Sequence, residues 1–131
     1  MQESVHVTTT INRPATEVYE YAADPTNLSS WAVGLAHQPV EHIDGQWVVD
    51  SPLGRVVVAF VPPNDFGVVD HDVTLPSGET VTNPMRVIAN EDGCDVMFTV
   101  RRRPGMDDAE LASDVEAVTK DLATLRSLLD R

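Results

Sequence analysis

Between Glu3 and Asn12, Val5, Val7, Thr9 and Ile11 alternate with His6, Thr8, Thr10 and Asn12, and a period of two residues predicts a strand with one buried face. Asn12-Arg13-Pro14-Ala15 then places a capping-type residue and a proline ahead of Thr16–Ala22, the pattern of a helix start. Asp24-Pro25 ends that helix, and a second short helical stretch is expected over Thr26–Trp31. Beyond it, apolar-rich runs cover Val40–Asp44, Gln46–Asp50, Arg55–Val61, Phe66–Leu75, Glu79–Ala89 and Cys94–Arg103. The clusters between them, Asp44-Gly45, Ser51–Gly54, Pro62–Asp65, Pro76–Gly78 and Asn90–Gly93, have hairpin-loop lengths, so consecutive antiparallel pairing is the simplest topology. Pro84 is the misfit: it has no N–H for a ladder and marks a bulge or an unpaired position. After Pro104-Gly105-Met106, Asp107 and Glu110 suit a capping box, and Leu111, Val115, Val118, Leu122, Leu125 and Leu129 recur at helical spacing. This predicts a long amphipathic helix of about 30 Å, with Asp114, Glu116, Lys120, Asp121 and Arg126 assigned to its solvent face.

Side chains that pair across an antiparallel ladder share a face, so the hairpins can be phased against one another. A three-residue loop at Pro76–Gly78 pairs Leu75 with Glu79, Val73 with Val81, His71 with Asn83 and Val69 with Met85. The Asn90–Gly93 loop pairs Ala89 with Cys94, Val87 with Val96, Met85 with Phe98 and Asn83 with Val100. Closing over Pro62–Asp65 sets Phe60, Val58 and Val56 opposite Gly67, Val69 and His71, and closing over Ser51–Gly54 adds Trp47 and Val49. The resulting face is apolar apart from His71 and Asn83, while Asp70, Asp72, Thr74, Thr80, Thr82 and Arg86 fall on the other side.

Composition narrows the function classes. A chain of 131 residues suits one domain, 1–131, with a sizeable core. No apolar stretch approaches the ~20 residues that span a bilayer, and Met1-Gln2-Glu3-Ser4 lacks the features of a signal peptide, so a cytoplasmic protein without membrane insertion is expected. The net charge of -12 repels phosphate backbones, which argues against a nucleic-acid partner. Cys94 has no disulfide partner, and it shows no metal-ligand spacing with His6, His37, His42 or His71, so neither metal nor cofactor is expected.

His71 is the strongest candidate for chemistry, a polar ring on an apolar wall beside Asn83. As catalytic residues, His71 would move a proton to or from a carbonyl or enol while Asn83 orients it or bonds the oxyanion. The competing account is a hydrogen-bonded pair that fills the core, as buried polar residues usually do. Asp70 and Asp72 stand about 7 Å apart on the wet face, where solvated charges are expected. Trp31 and Trp47 suit either stacking on an aromatic ligand or core packing. His37 is placed at a pocket mouth or on an exposed loop, and Arg101-Arg102-Arg103 is expected to pair with the acidic start of the last helix.

The blocks Ile11-Asn12-Arg13-Pro14-Ala15-Thr16-Glu17-Val18 and Asp24-Pro25-Thr26-Asn27-Leu28-Ser29-Ser30-Trp31, with Gly93 before the last strand and the helix from Asp107, resemble the SRPBCC superfamily. That group includes START lipid-transfer domains, pollen-allergen-like proteins and polyketide cyclases. The resemblance implies an α+β helix-grip fold: a curved seven-stranded antiparallel sheet wrapped round the C-terminal helix, with two short helices after the first strand. It also implies an apolar cavity between sheet and helix for a small hydrophobic or aromatic ligand, lipid, sterol or polyketide-like. The expected lining is Trp31, Trp47, Val58, Phe60, Val69, His71, Asn83, Met85 and Phe98, with Leu111, Val115 and Val118 opposite. Some members bind mononuclear iron through two histidines and a carboxylate, and no such motif is visible here. An enzyme of the cyclase, dehydratase or isomerase kind, with His71 as acid-base, is the alternative function. A protein-interaction module resembling the chaperone activators is a further one. As partners, the small ligand and, through the Val40–Asp44 edge, a second copy are considered, giving a monomer or homodimer.

Overall fold

The computed structural model describes residues 1–36 and 38–131, so His37 lies outside the described residues. The chain begins with strand β1 (Ser4–Ile11), helix α1 (Ala15–Ala22), one 3-10 turn (Pro25–Asn27) and helix α2 (Leu28–Trp31). Seven strands follow, β2 (Glu41–Ile43), β3 (Gln46–Ser51), β4 (Gly54–Phe60), β5 (His71–Thr74), β6 (Thr80–Asn83), β7 (Met85–Asn90) and β8 (Gly93–Arg101), then helix α3 (Asp108–Leu129).

The strands form two antiparallel sheets, not the single seven-stranded sheet expected. One has the order β1-β8-β7 and the other β2-β3-β4-β5-β6. The break falls at Pro84, which divides the predicted Glu79–Ala89 strand into β6 and β7. With no N–H, Pro84 cannot hold the ladder, and it contributes only its carbonyl, which accepts the Thr99 N–H at 2.9 Å. The sheets stay adjacent through a bridge between Val68 and Arg86, and the Val69 N–H donates to the Met85 carbonyl at 2.9 Å. Asp70 reinforces the seam. One carboxylate oxygen accepts the Met85 N–H at 2.8 Å and Arg86 Nε at 3.1 Å, and the other accepts Arg86 Nη2 at 2.8 Å. Its pKa is held below the usual range, first by the Arg86 hydrogen bond.

The phasing holds where the loops are short. Trp47 pairs with Val58, Val73 with Val81, His71 with Asn83, and Met85 with Phe98. The Asn83–Val100 pair is absent from the β7–β8 ladder, which ends at Met85 beside the break. Between β4 and β5 the register differs by four residues from that expected: Phe60 pairs with His71 and Val58 with Val73. Pro62 and Pro63 cannot extend a ladder, and Asn64 fixes the chain as a wide loop instead, its Oδ1 accepting the Phe66 and Val68 N–H groups at 3.0 and 3.1 Å. The predicted strand from Phe66 therefore starts only at His71. A shift by an even number preserves parity, so the same side chains still face inward.

Helix α3 begins at the predicted capping box, with the Glu110 N–H donating to Asp107 Oδ1 at 2.8 Å. Its far end is tied to the β1–α1 turn by the Asn12 N–H, which donates to Asp130 Oδ1 at 2.6 Å. Leu122, Leu125 and Leu129 are buried in the core, whereas Val115 and Val118 are only half-buried. The shorter side chains at the middle of α3 leave room that the leucines close elsewhere.

Candidate functional site

That room is a cavity of about 190 Å³. Trp31, Ala32, Gly34 and Leu35 bound it from α2 and the segment after it; His71, Val73, Asn83, Phe98 and Val100 bound it from the strands. Asp114, Ala117, Val118 and Asp121 close it from α3, and Leu53, on the exposed β3–β4 turn, stands at its rim.

Of the residues expected to line the site, the structure gathers Trp31, His71, Asn83, Phe98 and Val118 on this cavity. The others are elsewhere. Val69 and Met85 are fully buried in solid core, and Leu111 and Val115 pack along α3 outside the cavity. Trp47, Val58 and Phe60 face a separate groove against α1, where Trp47 stacks on His42 with ring centroids 4.2 Å apart. Face parity does not say how a curved face is divided, and here it is shared between the cavity under the middle of α3 and the groove at Trp47. Asp70 and Asp72 are outside, as expected: Asp70 holds Arg86, and Asp72 accepts the Thr82 hydroxyl at 2.6 Å. Arg102 and Arg103 form ion pairs, Arg102 with Glu3 and Asp108, and Arg103 with Asp114. Cys94 is buried, and burial raises its thiol pKa, so it packs as a small apolar side chain.

His71 is 4% exposed. Its Nδ1 lies 3.0 Å from the Val69 carbonyl, which can only accept, so Nδ1 carries the proton and Nε2 a lone pair. The Asn83 amide donates toward Nε2 at 3.5 Å, the long limit of a hydrogen bond. A pair serving only to fill core would be expected to close this distance. Phe60 and Phe98 flank the ring at 5.1 and 5.6 Å. Burial in this apolar setting pushes the His71 pKa down, so the imidazole is neutral at pH 7 and Nε2 is a hydrogen-bond acceptor or weak base.

Asp114 and Asp121 are the residues missed by the sequence reading, which assigned both to solvent. Burial raises the pKa of each, that of Asp121 to about 6, although the Gly34 N–H donates to its Oδ1 at 3.2 Å and opposes the rise. The available signal was spacing: each aspartate follows an apolar position by three residues, Leu111 and Val118, and so borders the buried stripe. Because the folded pKa of Asp121 exceeds its unfolded value of 3.8, its contribution to stability is present below pH ~4 and lost as pH rises through about 6. Asp121→Asn keeps an acceptor for Gly34, so it is expected to change stability little at pH 4. At pH 8 it is expected to add about 1 kcal/mol, allowing for screening of the partly exposed carboxylate. Urea unfolding at the two pH values checks this, and equal changes at both would contradict it. His71 acts in the opposite direction, since its lowered pKa makes the fold lose stability as pH falls below ~6.5.

Residues 2–130 match the family described as polyketide cyclase / dehydrase and lipid transport. The chain belongs to this family. Among solved structures it is similar to the XoxI protein of Bacillus cereus, with a TM-score of 0.75 and 10% identity, covering 96% of this chain and 94% of that one. The Zhui aromatase/cyclase from Streptomyces sp. R1128 gives 0.71 and 17%, with 98% and 93% covered. A START superfamily protein from Mycobacterium smegmatis gives 0.67 and 14%, with 98% and 99% covered. At these identities the likeness is one of fold. No curated protein matches the chain. The expected superfamily is thus the observed one, and in this member of the polyketide cyclase / dehydrase and lipid transport family one cavity lies between the strands bearing His71 and Asn83 and the middle of α3.

Proposed function

We infer that this chain binds a small apolar or aromatic molecule in the cavity beneath α3. The observation that carries the reading is a largely apolar space that the fold leaves unfilled, with His71 and Asn83 on the strand side of its wall and Arg103, Asp114 and Asp121 at the helix side. Its volume, about 190 Å³, is slightly above that of an engineered apolar cavity of about 150 Å³ that takes up benzene. One ring or a short length of lipid or polyketide chain fits inside, and a larger body extends past Leu53. The family description and the aromatase/cyclase among the similar folds support such a ligand.

The His71 geometry favours a second reading, catalysis of enolisation. Nε2 takes a proton from the carbon beside a ligand carbonyl, the C–H pair moves into the enolate, and the Asn83 N–H stabilises the oxyanion. Acetophenone serves as a probe for both readings. In the binding reading, His71→Ala lowers stability by about 2 kcal/mol while acetophenone affinity stays within about threefold. NMR in D₂O follows deuterium exchange at the probe's methyl carbon: exchange by the wild type that is lost in His71→Ala and Asn83→Ala supports catalysis. Absence of acetophenone binding would refute both readings.

A further inference from the structure

Beside α3 the cavity is bounded by Gly34 and Leu35, part of a strap, Val33–Leu35, that belongs to no helix or strand. The strap hangs between two buried residues, Ala32 and Ala36, while Val33 and Gly34 are exposed. Ala32, at φ -98° and ψ 53°, has left the helical conformation, and its carbonyl accepts the Leu35 and Ala36 N–H groups at 2.8 and 2.9 Å. Those bonds are internal to the turn and move with it. Among the described residues one polar contact ties the strap to α3: the Gly34 N–H donates to Asp121 Oδ1 at 3.2 Å. The two lie close, since a Cβ on Gly34 would stand 3.2 Å from Asp121 Oδ2 and 3.5 Å from Ala117 Cβ.

A carboxylate is a costly partner in this position. The charged and titratable groups around Asp121 are Asp114, Glu116 and Lys120 on α3, Arg103 from the segment after β8, and His71 from β5; α2 and the strap carry none. Arg103 lies 3.9 Å from Asp114 and Lys120 pairs with Glu116 at 3.1 Å, so among the described residues no cation pairs with Asp121. Burial lifts its carboxyl from 3.8 to about 6. Raising the strap returns that group to water, and the ionised form gains most from the change.

We propose that Val33–Leu35 is a gate on the cavity and that the Gly34–Asp121 hydrogen bond is its latch, closed while the carboxyl is protonated and released when it ionises. This rests on the binding reading of the same cavity and adds regulation to it. Below pH ~4 the carboxyl is protonated whether the gate is open or closed, and the latch is at full strength. Between 3.8 and about 6 the open form ionises first, so rising pH favours opening; above about 6 both forms are ionised and the effect levels off. With the carboxyl at its ordinary value in the open form, the ratio of open to closed gate rises about tenfold from pH 5 to 7.5. A ring inside the cavity is therefore retained at acid pH and exchanged faster at neutral pH.

Two measurements on the whole chain test this, one of them without a ligand. Hydrogen exchange at the Gly34 amide, expressed as protection relative to an unstructured peptide, is expected to fall about tenfold from pH 5 to 7.5 in the wild type. It should stay level in Asp121→Asn, which keeps an acceptor but cannot ionise, and be low at both pH values in Asp121→Ala. Dissociation of acetophenone, followed by NMR line shape, is expected to accelerate by the same factor in the wild type and not in Asp121→Asn. Protection at Gly34 that ignores pH, or a pH dependence that survives in Asp121→Asn and so belongs to His71 or Asp114, would overturn the latch. Protection that varies while acetophenone exchange does not would overturn the gate. Failure of acetophenone to bind at all refutes the cavity reading beneath the proposal, and the Gly34 measurement still decides the latch.

Discussion

Val118→Trp is expected to abolish acetophenone binding, a loss of at least about thirtyfold, while shifting the melting temperature by only a few degrees. Val118 lies at the middle of α3, is half-buried, and borders the cavity. Enlarging a side chain in a close-packed core typically costs about 1–3 kcal/mol, because neighbours must leave their rotamers. Here the indole has an open space of about 190 Å³ to enter, so the strain is small and the space itself is consumed. Leu122→Trp, one turn further along, is the contrast: Leu122 is 1% exposed in solid core, and there the same enlargement is expected to destabilise the protein. Titration and thermal melting of both variants check the pair. Undiminished binding by Val118→Trp would place the ligand elsewhere.

The largest stability effect is expected at Gly67, where Gly67→Ala should cost about 3 kcal/mol or more, roughly 10 °C in melting temperature. Gly67 has φ 71°, and a Cβ there would be driven into the Val87 carbonyl, whose carbon lies 3.1 Å from the added atom. The close approach is needed, because the Gly67 carbonyl accepts the Val87 N–H at 2.8 Å and so joins the β4–β5 loop to β7 across the seam between the sheets. Gly45 separates collision from dihedral strain. It has φ 78° with no atom within 4 Å of the position an added methyl would take, so Gly45→Ala should cost only about 1 kcal/mol. Equal losses in the two variants would mean that the close approach at Val87 contributes nothing.

The neighbourhood of Gly67 also marks the limit of what could be read from the chain. Period-two alternation placed Val56, Val58, Val69, His71 and Val73 on one face, and all five are buried. The β4–β5 register was not legible, because alternation is unchanged by a shift of two or four residues and only the loop decides between them. That loop is set by the Asn64 side chain and by two prolines, which act through hydrogen bonds made or missing rather than through hydrophobic pattern. Pro84, by contrast, marked a bulge or unpaired position through its own chemistry, although not that the Glu79–Ala89 strand would break and the sheet divide there.

The site was legible to the extent that it depends on parity. His71 and Asn83 pair as the three-residue loop at Pro76–Gly78 requires, and both line the cavity. Trp47 and Met85 share that inward face yet miss the cavity, since its position follows from where α3 carries valine and alanine instead of leucine. Asp121 was misassigned because a polar residue bordering an apolar stripe is ordinarily solvated, whereas the Asp114 side chain does remain about half exposed. The Gly34 backbone covers Asp121, a tertiary contact without a local signature.

Whether the space beneath α3 takes up a ring is decided by a crystal of the wild-type protein soaked in acetophenone. Ring density is expected between Trp31, His71, Phe98 and Val118. A cavity closed by its own side chains, or filled only by ordered water while the probe stays outside, would refute ligand binding at this position.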